Sequence, residues 1–171
     1  MFNTPNRRMA FVALLVLTSD QLTKLAVLKY LGYAQERVVV ADFFKFVHWG
    51  NTGSAFSMFP GNNLLLAGVA LVALVVLFLS RNQFDTRKLP GQLALGLIFG
   101  GIAGNLVDRL HPARQHVIDF LYFYLPQRGG GELGFPAFNV ADSAICIGVG
   151  FIFYLSWKNE YLSSRTAEPP A

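Results

Sequence analysis

An all-α polytopic membrane protein with four transmembrane helices is the fold this sequence predicts, and three observations predict it. Of its 171 residues, 53% are hydrophobic and only 14% charged, too apolar a balance for a soluble domain of this size. Four segments approach the length of about 20 residues needed to cross a hydrocarbon core: Met9 to Leu28, Asn63 to Leu79, Gln92 to Asp108 and Phe138 to Trp157. The ionisable residues that interrupt three of these segments, Asp20, Lys24, Asp108 and Asp142, all fall toward the same side of the bilayer.

The first segment imitates a secretory signal, with Arg7 and Arg8 ahead of the apolar stretch Ala10 to Thr18. Asp20 and Lys24 then stand where a small-residue cleavage motif belongs, so a retained helix is expected. The second, LLLAGVALVALVVLFL, holds no ionisable residue and ends at Ser80-Arg81. The third opens after Pro90-Gly91, and Gly96, Gly100, Gly101, Ala103 and Gly104 suit it to close helix packing. An even number of spans puts both termini on one side. Arg7, Arg8, Arg81, Arg87, Lys88, Lys158 and Arg165 lie in short segments on that side, and their density favours placing both termini in the cytoplasm. Two outer loops follow, Gly32 to Gly61 and Arg109 to Ala137, with a disordered tail from Thr166 to Ala171. The run VVVADFFKFVHW in the first loop fits short surface strands and an aromatic belt equally well. Arg128-Gly129-Gly130-Gly131 in the second is a flexible turn.

Charge and composition exclude several classes. The net charge of +4 and pI near 9.4 are spread over scattered residues with no aromatic-basic module, so nucleic acid is not expected and membrane lipids are the simpler partners. A lone cysteine, Cys146, excludes an internal disulfide and any multi-thiolate metal site, and it is expected to pack against a neighbouring helix. His48, His111 and His116 form no HExxH pattern and read as surface residues near the headgroups. Ser19 and Lys24, five apart, point to different faces of a straight helix and make no catalytic dyad.

An ionised side chain deep in a spanning helix costs roughly 2.5 to 3.5 kcal/mol, so each one here needs a reason. Asp20 and Lys24 are spaced i,i+4 with the acid first, the favoured order for a salt bridge that lets the first helix insert. Asn105, Asp108 and Arg109 share one face at the end of the third span, where Arg109 would pair with Asp108 or position another carboxylate. Asn139, Asp142 and Ser143 share a face at the start of the fourth. Asn51 and Asp119 sit in the outer loops, so every candidate converges on one leaflet.

Asp142 lies in a first helical turn, where the macrodipole favours negative charge. Asp119 lies in VIDFLYFYL, an apolar run that desolvates a carboxylate and raises its pKa. Like charges ~4 Å apart repel by ~4 kcal/mol at an effective dielectric of 20, so two such carboxylates in contact would share one proton. That is the arrangement aspartic peptidase chemistry requires: one carboxylate deprotonates water while its protonated partner donates to the scissile carbonyl, without metal or cofactor. Spacing alone leaves contact between residues 119 and 142 open.

The blocks SDQLTK, NTGSAF, GGIAGNLVDR, VIDF and FPAFNVADS, in that order from Ser19 to Ser143, resemble those of bacterial lipoprotein signal peptidase, also called signal peptidase II. The resemblance implies an endopeptidase of the bacterial inner membrane that cleaves diacylglyceryl-modified prolipoproteins just before the lipidated cysteine. It implies Asp119 and Asp142 as the catalytic pair. Asp20, Lys24, Asn51, Gly101, Asn105, Asp108, Arg109, Asn139 and Ala141 are implied as its supporting or substrate-contacting shell. It also implies a small extracytoplasmic β-cradle in the first outer loop, a cover after Asp119, and an active site toward the outer leaflet; the chain is expected to act as a monomer. Two departures bear on the cover: the stretch between Arg109 and Asp119 is longer than usual with Gln115 where glycine is common, and the loop Gln127 to Leu133 is extended.

Two other classes make different demands. A small transporter or ion-coupled carrier would show ionisable groups near the midplane and symmetry between its halves, yet the second span has no ionisable group and the halves do not correspond. A non-catalytic scaffold would make no demand on the two aspartates.

Overall fold

In the computed structural model, residues 4–53 and 61–167 are described, with side chains through residue 161. Ser54, Ala55 and Phe56 of the NTGSAF block, and residues 168–171 of the tail, lie outside the described residues. Four helices carry the fold: α1 (Pro5–Tyr30), α2 (Asn63–Ser80), α3 (Leu89–Leu110) and α4 (Val140–Ala167). All four are long and apolar enough to cross a membrane. Proline occupies the first turn of both α1 and α3, where its missing N–H costs no hydrogen bond. The first helix therefore begins four residues ahead of the expected Met9. The last continues through Thr166 and Ala167, two residues into the expected tail.

The helices are not equivalent. α3 is the hub, packed extensively against α1 and α4 and less so against α2, which buries only Ala67 and otherwise presents an apolar surface suited to lipid. Glycine decides this. A Cβ at Gly100 would sit 2.6 Å from the Ala13 carbonyl oxygen of α1, and one at Gly96 would sit 2.7 Å from Val12 Cβ. A Cβ at Gly101 would run into the Ala141 carbonyl of α4. Without a hydrophobic drive between helices in lipid, such backbone approach is what holds them together. Gly101→Val is thus expected to push the first turn of α4 away from α3 and destabilise the protein by about 1–3 kcal/mol. A thermal melt in detergent reads this, and an unchanged melting temperature would show that the contact yields freely.

The outer loops build one four-stranded antiparallel sheet in the order β1 (Glu36–Val40), β2 (Phe44–Asn51), β3 (Val117–Pro126) and β4 (Glu132–Gly134). The strand alternative for VVVADFFKFVHW is therefore the one adopted. The sheet also takes in the second loop, because VIDFLYFYLP is rich in β-branched and aromatic residues and forms its longest strand. Gly129, Gly130 and Gly131 make the β3–β4 turn at φ of 102°, 95° and 94°, a left-handed region glycine enters freely. Lys45 clamps the sheet from β2: its ammonium lies 2.6 Å from Glu36 and 2.7 Å from Glu132, over the rings of Tyr122 and Tyr124. Burial alone would lower the Lys45 pKa, but the two glutamates outweigh it and hold it above its usual value.

His48 and Cys146 differ from expectation. His48 is buried, its Nδ1 2.9 Å from the Leu31 carbonyl oxygen and its ring edge-on to Tyr33, because a bulge in β2 between Phe46 and Trp49 turns the strand there. Cys146 is exposed. The buried stripe of α4 runs through Ala141, Ala144 and Gly148, and Cys146 lies roughly 200° around the helix from Ala144.

Candidate active site

Asp119 and Asp142 are brought together by a strand-to-helix junction. The backbone of Phe138 pairs with Leu121 of β3: Phe138 N–H donates to the Leu121 carbonyl at 3.1 Å, and the Leu121 N–H donates back at 2.9 Å. α4 consequently starts beside the part of β3 that carries Asp119. Its first turn is closed by a reciprocal cap, in which the Asp142 N–H donates to Asn139 Oδ1 at 2.9 Å and the Asn139 N–H donates to Asp142 Oδ2 at 3.2 Å. Asparagine and aspartate three apart thus perform the capping-box exchange usually seen with serine and glutamate.

Asn139 serves both aspartates, since its side-chain amide also donates to Asp119 Oδ1 at 2.8 Å. The second Asp119 oxygen accepts from Asn51 Nδ2 at 2.9 Å. Asn51 reaches it diagonally across the ladder, because Asn51 opposes Val117 and Trp49 opposes Asp119. Asp142 Oδ1 accepts from Asn105 Nδ2 of α3 at 2.7 Å. Each carboxylate is therefore oriented by two donors. Asp119, 4% exposed, has its pKa pushed up to about 7, first by burial and then by the charge of Asp142, against the hydrogen bonds of Asn51 and Asn139.

Behind the pair lies a buried ionic cluster. The Lys24 ammonium, fully buried, lies 2.8 Å from Asp20, 2.7 Å from Asp108 and 3.0 Å from Asn105 Oδ1. The Asp20–Lys24 pair expected within the first helix is real, but Asp108 of α3 completes it. Asp20 also reaches the fourth helix, because its Oδ1 accepts the Ala141 N–H at 3.0 Å, so α1 caps the helix that carries Asp142. Ala141 is fully buried with its carbonyl against Gly101.

Of the two roles expected of Arg109, the pair with Asp108 does not form. Its guanidinium leaves Asp108 and donates to the Gly53 carbonyl at 2.7 Å and to Asn63 Oδ1 at 3.1 Å, while Asn63 Nδ2 donates to the Arg109 carbonyl at 2.8 Å. The helix end rotates Asp108 toward α1 and Arg109 toward α2, so the face they nominally share is split. A cavity of about 610 Å³ opens here, lined by Asn51, Asn105, Arg109, Asp142 and Ser143 on its polar side. Val117, Phe135, Pro136, Phe138, Ile145 and Cys146 make up the apolar remainder. Arg109 bears on the aspartates through its charge, with Asp119 and Asp142 both within electrostatic reach.

Sequence reasoning missed three participants. Gln21 bridges Asp20 at 3.2 Å, Asp108 at 3.2 Å and the Gly104 carbonyl at 3.1 Å. Its signal was available, a polar side chain one residue past Asp20 in a largely apolar helix. Arg114 donates to Asp108 at 2.8 Å from a loop, and Asn63 holds Arg109 from the start of a span; no spacing rule points to either.

The family model for signal peptidase (SPase) II matches residues 12–158. The chain belongs to the signal peptidase II family. Among curated relatives, it is 41% identical over 162 residues to a lipoprotein signal peptidase of Azoarcus sp. strain BH72, covering 86% of each chain. It is 38% identical over 155 residues to that of Desulforapulum autotrophicum, covering 86% of this chain and 91% of the relative. A solved bacterial membrane enzyme superposes with a TM-score of 0.72 at 28% identity, over 95% of this chain and 93% of the other. This signal peptidase II family member is a multi-pass membrane peptidase, and the transporter reading finds no support.

Proposed function

We propose that this protein is an aspartic endopeptidase in which Asp119 and Asp142 share one proton and cleave diacylglyceryl-modified prolipoproteins before the lipidated cysteine. The observation that carries the reading is the shared amide of Asn139, which binds Asp119 Oδ1 and caps the turn of Asp142. Two carboxylates so joined ionise in sequence rather than together. Asp142, lining the cavity, takes a proton from water as the hydroxyl attacks the scissile carbonyl carbon. Asp119, the protonated partner, donates to the carbonyl oxygen. As the tetrahedral diol collapses, Asp142 passes its proton to the departing cysteine nitrogen and Asp119 takes a proton from a diol hydroxyl, which restores the pair and leaves the signal peptide with a new carboxyl group. Asn51, Asn105 and Asn139 hold the pair, and Arg109, which lines the cavity, holds the Gly53 carbonyl.

The apolar lining from Val117 to Cys146 suits the hydrophobic end of a signal peptide, with the acyl chains left in surrounding lipid. Asp20, Lys24, Asn105, Asp108 and Asp142 all lie at the sheet-bearing ends of their helices. With seven of the fourteen Lys and Arg residues in the short segments at the opposite ends, a higher density than in the longer outer loops, this supports cytoplasmic termini and a site toward the outer leaflet of the bacterial inner membrane. A monomer suffices, because both aspartates come from one chain.

The pH profile tests the chemistry. With Asp119 at about 7, the singly protonated pair prevails below neutrality and is lost as pH rises through that value. Cleavage of a lipidated precursor by purified enzyme, measured as kcat/KM, is expected to fall about tenfold per pH unit on the alkaline side. A rate that keeps climbing above pH 8 would defeat the shared-proton mechanism.

A further inference from the structure

The loop that lengthens the connection from α3 to β3 carries a cation into the cluster behind the aspartates. His111 to Gln115 form a turn in which the Arg114 and Gln115 N–H groups donate to the His111 carbonyl at 3.0 and 3.1 Å, and Gln115 closes it at φ 53°. The left-handed backbone explains why glycine suits that position. The turn directs Arg114 back to the helix end, where Nη1 lies 2.8 Å from Asp108 Oδ1 with the arginine side chain only 13% exposed.

Charge arithmetic gives that contact its meaning. Asp20 and Asp108 contribute two negative charges at zero exposure, and Lys24 contributes one positive charge. Arg114 supplies the second, since Arg109 turns away to Gly53 and Asn63. The balance reaches the dyad along two lines. Asp108 Oδ2 accepts the Ile118 N–H at 3.4 Å, one residue before Asp119. Lys24 donates to Asn105 Oδ1, and the other end of that amide donates to Asp142.

We infer that Arg114 is a positioning residue of the peptidase, acting through Asp108 to keep the buried cluster neutral and to hold Asn105 and the start of β3 where the dyad needs them. The titratable groups of the cluster and the dyad are Asp20 and Lys24 from α1, Asp108 and Arg109 from α3, Asp119 from β3 and Asp142 from α4, and His111 and His116 belong to the loop of Arg114 itself. Removing Arg114 leaves one uncompensated negative charge behind the dyad, which disfavours loss of the shared proton.

The inference rests on the aspartic reading, and the experiment separates the two. Arg114→Gln, Arg114→Lys and Asp119→Asn are purified and assayed on a lipidated precursor from pH 5 to about 9, the range that brackets the Asp119 titration. Arg114→Gln is expected to lower kcat about tenfold with KM nearly unchanged, and to move the alkaline limb up by about half to one pH unit. Arg114→Lys keeps the charge and is expected to leave the limb in place. A wild-type profile in Arg114→Gln, or a displaced limb in Arg114→Lys, overturns the role; Arg114→Met, which also removes the charge, takes the place of the glutamine variant if that does not fold. Activity in Asp119→Asn would remove the aspartic reading itself. An inactive Asp119→Asn with an unshifted Arg114→Gln would remove only Arg114.

Discussion

Asp119→Asn and Asp142→Asn are each expected to lower cleavage of a lipidated precursor by about 10³-fold while leaving the protein folded. Asparagine keeps the shape and one acceptor oxygen, so each variant retains a hydrogen bond from its neighbours, but neither can exchange a proton. At Asp142 the cap loses its charge at a helix N-terminus, a cost of about 0.5–1 kcal/mol. At Asp119 the sign reverses. Its pKa is raised from 3.8 to about 7, so the folded protein holds a proton that the unfolded chain releases. The stability that Asp119 contributes is therefore fully present below the unfolded value and is lost as pH rises from about 4 through about 7. The full effect is on the order of 4 kcal/mol. Asp119→Asn lacks that decline, and above pH 7 it should melt higher than wild type while cleaving nothing. Paired melts and single-turnover assays at pH 5 and 8 test this. Full cleavage by either folded variant would remove the dyad.

Much of this is legible in the sequence because lipid penalises exceptions. Asp20, Lys24, Asn105, Asp108 and Asp142 stand out against apolar runs, and depth along each helix shows that they converge. The glycines of α3 announce close packing for the same reason. Partner choice is harder to read. The i,i+4 rule finds Asp20 with Lys24 but gives no hint that Asp20 also caps α4, since that contact joins residues 121 positions apart. Shared helical facing offers Asp108 as a partner for Arg109, yet at a helix end adjacent side chains diverge toward different neighbours. The apolar run VIDFLYFYL signals what it does to a carboxylate, while its β-branched and aromatic content also marks it as the strand that places Asp119. Arg114 sits in a loop, where no periodicity constrains a side chain, and only the fold reveals its partner.

Lys24→Met is expected to cost about 3–5 kcal/mol, more than the Gly101→Val change in the helix packing. A buried ion pair contributes little net stability, because desolvation offsets attraction, but removing one partner strands the other. Here it strands Asp20. Asp108 would keep Arg114, Gln21 and the Ile118 N–H, whereas Asp20 would keep only Gln21 and the Ala141 N–H, with no cation in contact. A melting temperature lower by about 10 °C in detergent is expected. Loss of activity should exceed what partial unfolding explains, because the Lys24 ammonium binds the oxygen of the Asn105 amide and so aims its nitrogen at Asp142. The double variant Asp20→Asn with Lys24→Met tests the cause. Asparagine at position 20 still accepts the Ala141 N–H but carries no charge, so stability should recover while activity stays low, since Asn105 remains unanchored. Equal melting temperatures for the single and double variants would show that unpaired charge is not what destabilises Lys24→Met, and would point to lost packing around the lysine stem instead.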